Sequence, residues 1–134
     1  MKCFLDANVL FSAANEASNI HKLILAAAQK HKLLSSDYAR EEAIRNIRAK
    51  RSEWELGFTR TSPLVEFLTS LDQPITGVEI APKDRPILAT AIASQCDYLI
   101  TGDKKDFGHL FETTMRGTTV LTPLQFAQKC SHLF

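Results

Sequence analysis

Five acids stand where carboxylates can act together. Asp6 follows the apolar, strand-like run Lys2-Cys3-Phe4-Leu5, and Asp103 and Asp106 follow a second such run, Asp97-Tyr98-Leu99-Ile100-Thr101, which Gly102 ends. Asp84 opens the Ala-rich run Ile87-Leu88-Ala89-Thr90-Ala91-Ile92-Ala93, and Glu42 lies ~60° round a helix from Ala39, on the border of its buried face. In open parallel sheets, ligands bind outside the carboxyl ends of the strands, which is where Asp6, Asp103 and Asp106 fall. Hard divalent cations such as Mg²⁺ take oxygen ligands, commonly a few carboxylates with water and substrate phosphate. Without a cation, such a set repels itself and its pKa values rise, so structure alone gives little reason to assemble it. Singly, most of these acids have a plainer reading: Asp84 and Asp106 as helix caps, Asp103 as a turn residue, Glu42 as a solvated helix-edge acid. Asp6, directly after a buried strand, has no evident cap to make. Together, the strand-end acids and Asp84 point to a metal site.

The elements that must position these acids follow from pattern. Strand one ends at Leu5, and Asp6-Ala7-Asn8-Val9-Leu10 reads as a loop leading toward Ser18 and Asn19, either of which can cap a helix over 20–30 with Ile20, Leu23, Ile24 and Ala27 on one face. Leu33-Leu34-Ser35 is a minimal strand. Asp37 is placed to cap a helix over 38–51 whose inward stripe is Ala39, Ala43 and Ile47. Pro63 is read as starting a helix over 64–71, and Val78-Glu79-Ile80 as a candidate strand. Pro86 starts the helix after Asp84. Thr118-Thr119-Val120-Leu121 is a strand, and Pro123 opens a last helix reaching about Cys130. Strands alternating with helices imply a parallel sheet covered on both sides.

Composition narrows the class. A chain of 134 residues is read as one domain, 1–134, long enough to bury a sizeable core, and its 45% apolar and 23% charged residues match an ordinary soluble globular protein. The net charge of +1 does not announce a nucleic-acid binder, so any such partner must be met by a local patch. The most basic stretch is Arg48-Ala49-Lys50-Arg51 with Arg40, Arg45 and Arg60 nearby, which reads either as an RNA grip through Arg45, Arg48 and Arg51 or as a solvated helix face. No apolar run approaches the ~20 residues of a membrane span, and no secretory signal is evident, so a cytoplasmic address is expected. Cys3, Cys96 and Cys130 have no paired metal spacing and read as reduced core thiols.

Taken in order, these segments resemble the PIN-domain nucleases, in particular the VapC-type toxins of toxin-antitoxin pairs. Phe4-Leu5-Asp6-Ala7-Asn8-Val9 is similar to the family's opening block, Ser36 followed six positions later by Glu42 to its second, and Asp84-Arg85-Pro86-Ile87-Leu88-Ala89 to its third. Thr101-Gly102-Asp103-Lys104-Lys105-Asp106-Phe107 resembles the closing block, one of the more specific of these signals. The resemblance covers nearly the whole chain and implies a Rossmann-like three-layer α/β/α sandwich with a central parallel sheet. It also implies a pocket that binds Mg²⁺ or Mn²⁺ and cuts RNA, with Asp6, Glu42, Asp84, Asp103 and Asp106 as catalytic acids. Of these, Asp6, Asp84 and Asp103 would hold the metal, and Asn8, Ser36 and Thr101 would orient water or the acids. The expected partners are RNA, a small antitoxin and a second copy of the chain. Histidine is not needed: His21, His31, His109 and His132 lie outside the four blocks. Two other readings remain at this point. A haloacid-dehalogenase-like phosphatase also carries an acid after strand one and a late Gly-Asp…Asp pair, but has Asp where this chain has Asn8. A non-catalytic PIN-like module binding RNA or protein would have no need of the full acid set.

Overall fold

The computed structural model describes residues 1–131. Its centre is β1 (Lys2–Leu5), whose Cys3, Phe4 and Leu5 are all fully buried. Successive strand residues point to opposite faces, so three in a row can be buried only if helices cover both sides. β1 pairs in parallel with β2 (Lys32–Ser36) on one side and β4 (Tyr98–Ile100) on the other. β3 (Val65–Leu68) extends the sheet beyond β2, and β6 (Thr118–Leu121) beyond β4. The short β5 (Thr114–Met115) completes the order β3-β2-β1-β4-β6-β5 and is the one antiparallel member. Its hairpin turns through Arg116 and Gly117, both at positive φ (50° and 91°), as a two-residue turn requires.

The chain leaves β1 toward β2 and later returns to β4 on β1's other side. The strand order therefore reverses between β1 and β4, and the crevice at their carboxyl ends is the switch point where open α/β sheets bind ligands. Five helices build the walls. α1 (Ala7–Ala13) packs on α2 (Asn19–Ala28), α3 (Asp37–Lys50) and α4 (Glu55–Thr61), and α5 (Arg85–Ala93) leads into β4. α6 (Lys104–Phe107) and α7 (Pro123–Lys129) follow β4 and β6. α7 begins with a full capping box between Thr122 and Gln125. Gly57 lets α4 touch the end of α1: a Cβ there would lie 2.0 Å from the carbonyl oxygen of Ala14.

Several expectations need correction. Residues 7–10, read as loop, are the start of α1, and Asp6 is its N-terminal cap, so the strand-end acid does have a helix to cap. The helix expected over 64–71 is the strand β3, reached through a single 3₁₀ turn, Ser62–Leu64. A short apolar run such as Val65 to Leu68 fits either state, and the open edge of β2 supplies the hydrogen bonds that decide it. The helix in this region comes earlier, as α4. Val78 and Ile80 pack against the core without joining a ladder, so no strand forms there. Ser36, not Asp37, caps α3; Asp37 sits one residue inside, and hydrogen bonds from the Ser70 side chain and amide, then from the Tyr38 amide, hold its pKa below the usual range.

The other expected elements fall within a residue or two of their expected bounds, whereas α6 and β5 were not anticipated. Cys3, Cys96 and Cys130 are buried free thiols, and burial pushes Cys3 up to about 12 and Cys96 to about 11, so neither is a ready nucleophile. Among the described residues, no helix is long and apolar enough to cross a membrane.

Candidate functional site

Each of the two central strands delivers one side of the site. At the end of β1 the amide of Asp6 donates across the crevice to Ile100 O (3.0 Å), fixing the two strand ends in register. The Asp6 carboxylate then collects donors. Oδ1 accepts from the amide of Ala7 (2.7 Å), while Oδ2 accepts from Thr101 Oγ1 (2.8 Å) and Asn8 Nδ2 (3.1 Å). Thr101 Oγ1 in turn accepts from the Asp103 amide (3.1 Å), and Asn8 Oδ1 accepts from the Gly102 amide (2.7 Å). Asn8 thus uses its donor and its acceptor at once, a pair of roles a carboxylate could not fill. Despite these bonds, burial raises the Asp6 pKa to about 6, with the charges of Glu42 and Asp103 adding to the effect.

Asp84 stands at the start of α5 in the cap position, but it caps nothing. Its backbone is in the α region (φ −99°, ψ −14°), its side chain bonds no helix amide, and no donor among the described residues reaches its buried Oδ2. What it meets instead is acid. One carboxylate oxygen each from Asp84, Asp103 and Asp106 lie within 4.8 Å of one another. Burial first, and then Asp106, push the Asp84 pKa well above the carboxylate range. Asp106 is correspondingly held down, by hydrogen bonding with Asp84 and by Lys83, whose Nζ lies 3.2 Å from its Oδ2. Asp103 does two things: it belongs to this group and it caps α6, accepting from the Asp106 amide at 3.0 Å. Asp106 lies inside the first turn of α6 and is not its cap.

Asp6, Glu42, Asp84 and Asp103 line one open cavity of about 450 Å³ together with Asn8, Asn46, Lys50 and Lys83. Thr101 stands behind it, bonded to Asp6. Ser36 bonds no acid side chain; its hydroxyl accepts from the Ala39 amide (3.2 Å) and starts the helix that carries Glu42. Of the basic residues singled out in the sequence, exposed Arg48 pairs with Glu55 (2.8 Å), and the Arg51 guanidinium lies 5.6 Å from the Trp54 ring centroid. Arg45 is exposed near Tyr38, and none of the three lines the cavity.

Three residues at the site, Tyr38, Lys83 and Asn46, escaped the sequence reading, and a fourth, Lys50, was read only as part of the basic stretch. Tyr38 donates its hydroxyl to Lys83 O (2.6 Å), tying α3 to the segment that presents Asp84. Lys83 neutralises Asp106, and Asn46 and Lys50 line the cavity. The latter two were within reach, since they follow Glu42 at four and eight residues and so share its helix face. The histidines lie apart from the acids: His21 Nδ1 donates to Ala13 O (2.8 Å), His31 packs edge-on to Phe126, and His109 Nε2 donates to Glu79 O (2.7 Å). His132 lies outside the described residues.

Fold and site together define a PIN-like α/β/α protein with a partly buried acidic cluster in the switch-point crevice. No protein-family model matches the sequence, and no curated protein sequence matches it either. Among solved structures, it is similar to a chain in the crystal structure of VapBC2 from Rickettsia felis bound to a DNA fragment from its promoter. The TM-score is 0.66 over 91% of this chain and 98% of that one, at 15% sequence identity, so the likeness is one of fold.

Proposed function

We propose that the protein is a Mg²⁺- or Mn²⁺-dependent ribonuclease that hydrolyses phosphodiester bonds in RNA, and the toxin of a toxin-antitoxin pair. The observation that carries this reading is Asp84 Oδ2, a buried carboxylate oxygen with no donor among the described residues, grouped with the carboxylates of Asp103 and Asp106. A cation is the partner this oxygen lacks, and an all-oxygen set of carboxylates suits Mg²⁺ or Mn²⁺. Asp84, Asp103 and Asp106 would hold it. Asp6, which accepts three hydrogen bonds, lies outside this group of three but lines the same cavity. When bound, the metal supplies positive charge at the scissile phosphate and at the attacking water.

The chain's own groups do the rest. Thr101 and Asn8 fix Asp6 against rotation, Lys83 holds Asp106 at the rim, and the Tyr38 hydroxyl anchors the Lys83 carbonyl and, through it, Asp84. Glu42 adds a carboxylate on the α3 wall, placed to draw a proton from water. A phosphatase using Asp6 as nucleophile is disfavoured, because Asn8, bonded to Asp6 Oδ2 and to the Gly102 amide, stands where such an enzyme carries an Asp. The partner expected of a toxin, a small antitoxin, has a surface to use. An apolar groove lined by Ile20, Leu23, Phe111, Pro123 and Leu124 adjoins the acidic cavity and shares Ile20, Gly102 and Pro123 with it.

The test is cleavage of a single-stranded RNA by purified protein in Mn²⁺ against EDTA. Wild type cuts only with metal, and Asp84→Asn and Asp103→Asn each lose about 100-fold or more. Wild type that leaves RNA intact in Mn²⁺ removes the reading.

A further inference from the structure

On the α3 wall, Glu42, Asn46 and Lys50 form one stripe at four-residue spacing, spanning about 12 Å from the acid end of the cavity to its basic end. Two ammonium groups line this cavity. Lys83 is neutralised by Asp106 at 3.2 Å, whereas Lys50 makes no ion pair among the described residues. Asn46, half-buried between Glu42 and Lys50, likewise makes no side-chain hydrogen bond to another described residue, so both its donor and its acceptor are open. The neighbouring arginines differ on both counts. Arg48 is bound to Glu55 and lies about 120° round the helix from Glu42, while Arg51, just past the end of α3, is stacked on Trp54.

A polyanion entering a cavity with several acids in its wall needs a cation beyond the one those acids bind, and Lys50 is the one left uncommitted. We propose that Lys50 and Asn46 position the substrate strand: Lys50 takes a phosphate flanking the scissile one, and Asn46 hydrogen-bonds the nucleotide between them, at a base edge or ribose 2′-hydroxyl. This rests on the ribonuclease reading and deepens it, since it sets which way the strand runs along α3. The competing role for Lys50 is structural. It lies in the last turn of α3, where a cation favours the helix dipole.

The experiment separates these roles. Steady-state cleavage of a fluorescein-labelled single-stranded RNA in Mn²⁺ is measured over a salt series for wild type, Lys50→Ala, Lys50→Arg, Asn46→Ala and Lys32→Ala. Lys32 pairs with Glu66 at the opposite end of the sheet and controls for the loss of one charge. Lys50→Ala raises KM about tenfold with kcat within about twofold. It also makes the log-log salt dependence of kcat/KM shallower by about 0.7, the contribution of one single-strand phosphate contact. Lys50→Arg restores both values, Asn46→Ala raises KM without changing the slope, and Lys32→Ala changes neither. Fluorescence anisotropy with the same RNA on the Asp84→Asn background reads the same tenfold loss for Lys50→Ala without turnover. An unchanged KM and slope for Lys50→Ala, or a change matched by Lys32→Ala, overturns the assignment while wild-type cleavage still stands. Absence of cleavage by wild type strikes the ribonuclease reading itself.

Discussion

Asp6 and Asp84 face the same cavity, both buried and both with raised pKa values, yet their surroundings are opposite. Asp6 is enclosed by three donors from Ala7, Asn8 and Thr101, and it joins the ends of β1 and β4. Asp84 has an oxygen that no described residue donates to, and its near neighbours are two more carboxylates. One acid is held in place by the protein; the other is held against its own electrostatics. The contrast separates a structural carboxylate from one that calls for a counter-charge. A buried anion satisfied by hydrogen bonds belongs to the framework as much as to the chemistry, whereas an orphaned one beside like charges marks the position a cation would take.

The largest expected effect is on pH dependence without metal. Asp6 rises from about 4 in the unfolded chain to about 6 in the fold, so between these values the native state binds more protons than the unfolded one. Metal-free stability should therefore fall as pH rises from about 4 to above 6, by about 3 kcal/mol from Asp6 alone. Asp84 adds to the fall. Asp37 and Asp72, whose pKa values are lowered, oppose it only at the acid end, where their contribution is lost as they protonate. Urea denaturation across this range in EDTA should show the slope, and excess Mn²⁺ should flatten it. A metal-free protein whose stability climbs steadily to pH 7 would contradict this reading of the site.

Amide replacements sharpen the contrast at a smaller scale. Asp84→Asn removes a repelled charge and adds donors that Asp103 and Asp106 can accept, so at pH 7 in EDTA it should stabilise the fold by about 1–2 kcal/mol. It should gain little from Mn²⁺, which stabilises wild type by binding the native state alone. Asp6→Asn relieves a charge too, but it turns an amide N–H₂ toward the donors of Asn8 or Ala7, and the two effects should cancel to within about 1 kcal/mol. Melting curves of the three proteins with and without metal make the comparison. Equal gains for both variants in EDTA would mean that the donors around Asp6 matter less than its geometry implies.

The smallest effect lies on the far side of α3. Arg48 and Arg51 are exposed, one paired with Glu55 and one resting on Trp54, so Arg48→Ala and Arg51→Ala should each change stability by less than about 1 kcal/mol. A larger loss on chemical denaturation would show that the loop between α3 and α4 depends on them.

Much of the site was legible because it is made of local signals. An acid after an apolar run, a glycine that ends a strand and a proline that starts a helix each act over a few residues, and the structure puts Asp6, Asp84 and Asp103 at the ends of elements as those signals implied, with Asp106 inside the first turn of α6. The stripe through Glu42, Asn46 and Lys50 was also present in the spacing. Charge count alone does not separate Lys50 from the neighbouring arginines; helix face does.

The alternation of elements and the places where carboxylates leave them are local properties of the chain, since backbone sterics and hydrophobic period operate within a window of several residues. The tertiary structure alone decided the rest. Val65 to Leu68 became a strand because β2 offered an open edge, a fact about a neighbour about thirty residues away in sequence. Lys83 became the partner of Asp106, and Tyr38 the support of the Lys83 carbonyl, because α3 and α5 converge on the crevice. Whether Asp6 would be satisfied and Asp84 orphaned depended on which donors the packed strands brought within about 3 Å, and hydrogen bonding at that range is set by three-dimensional placement, to which spacing along the chain is blind.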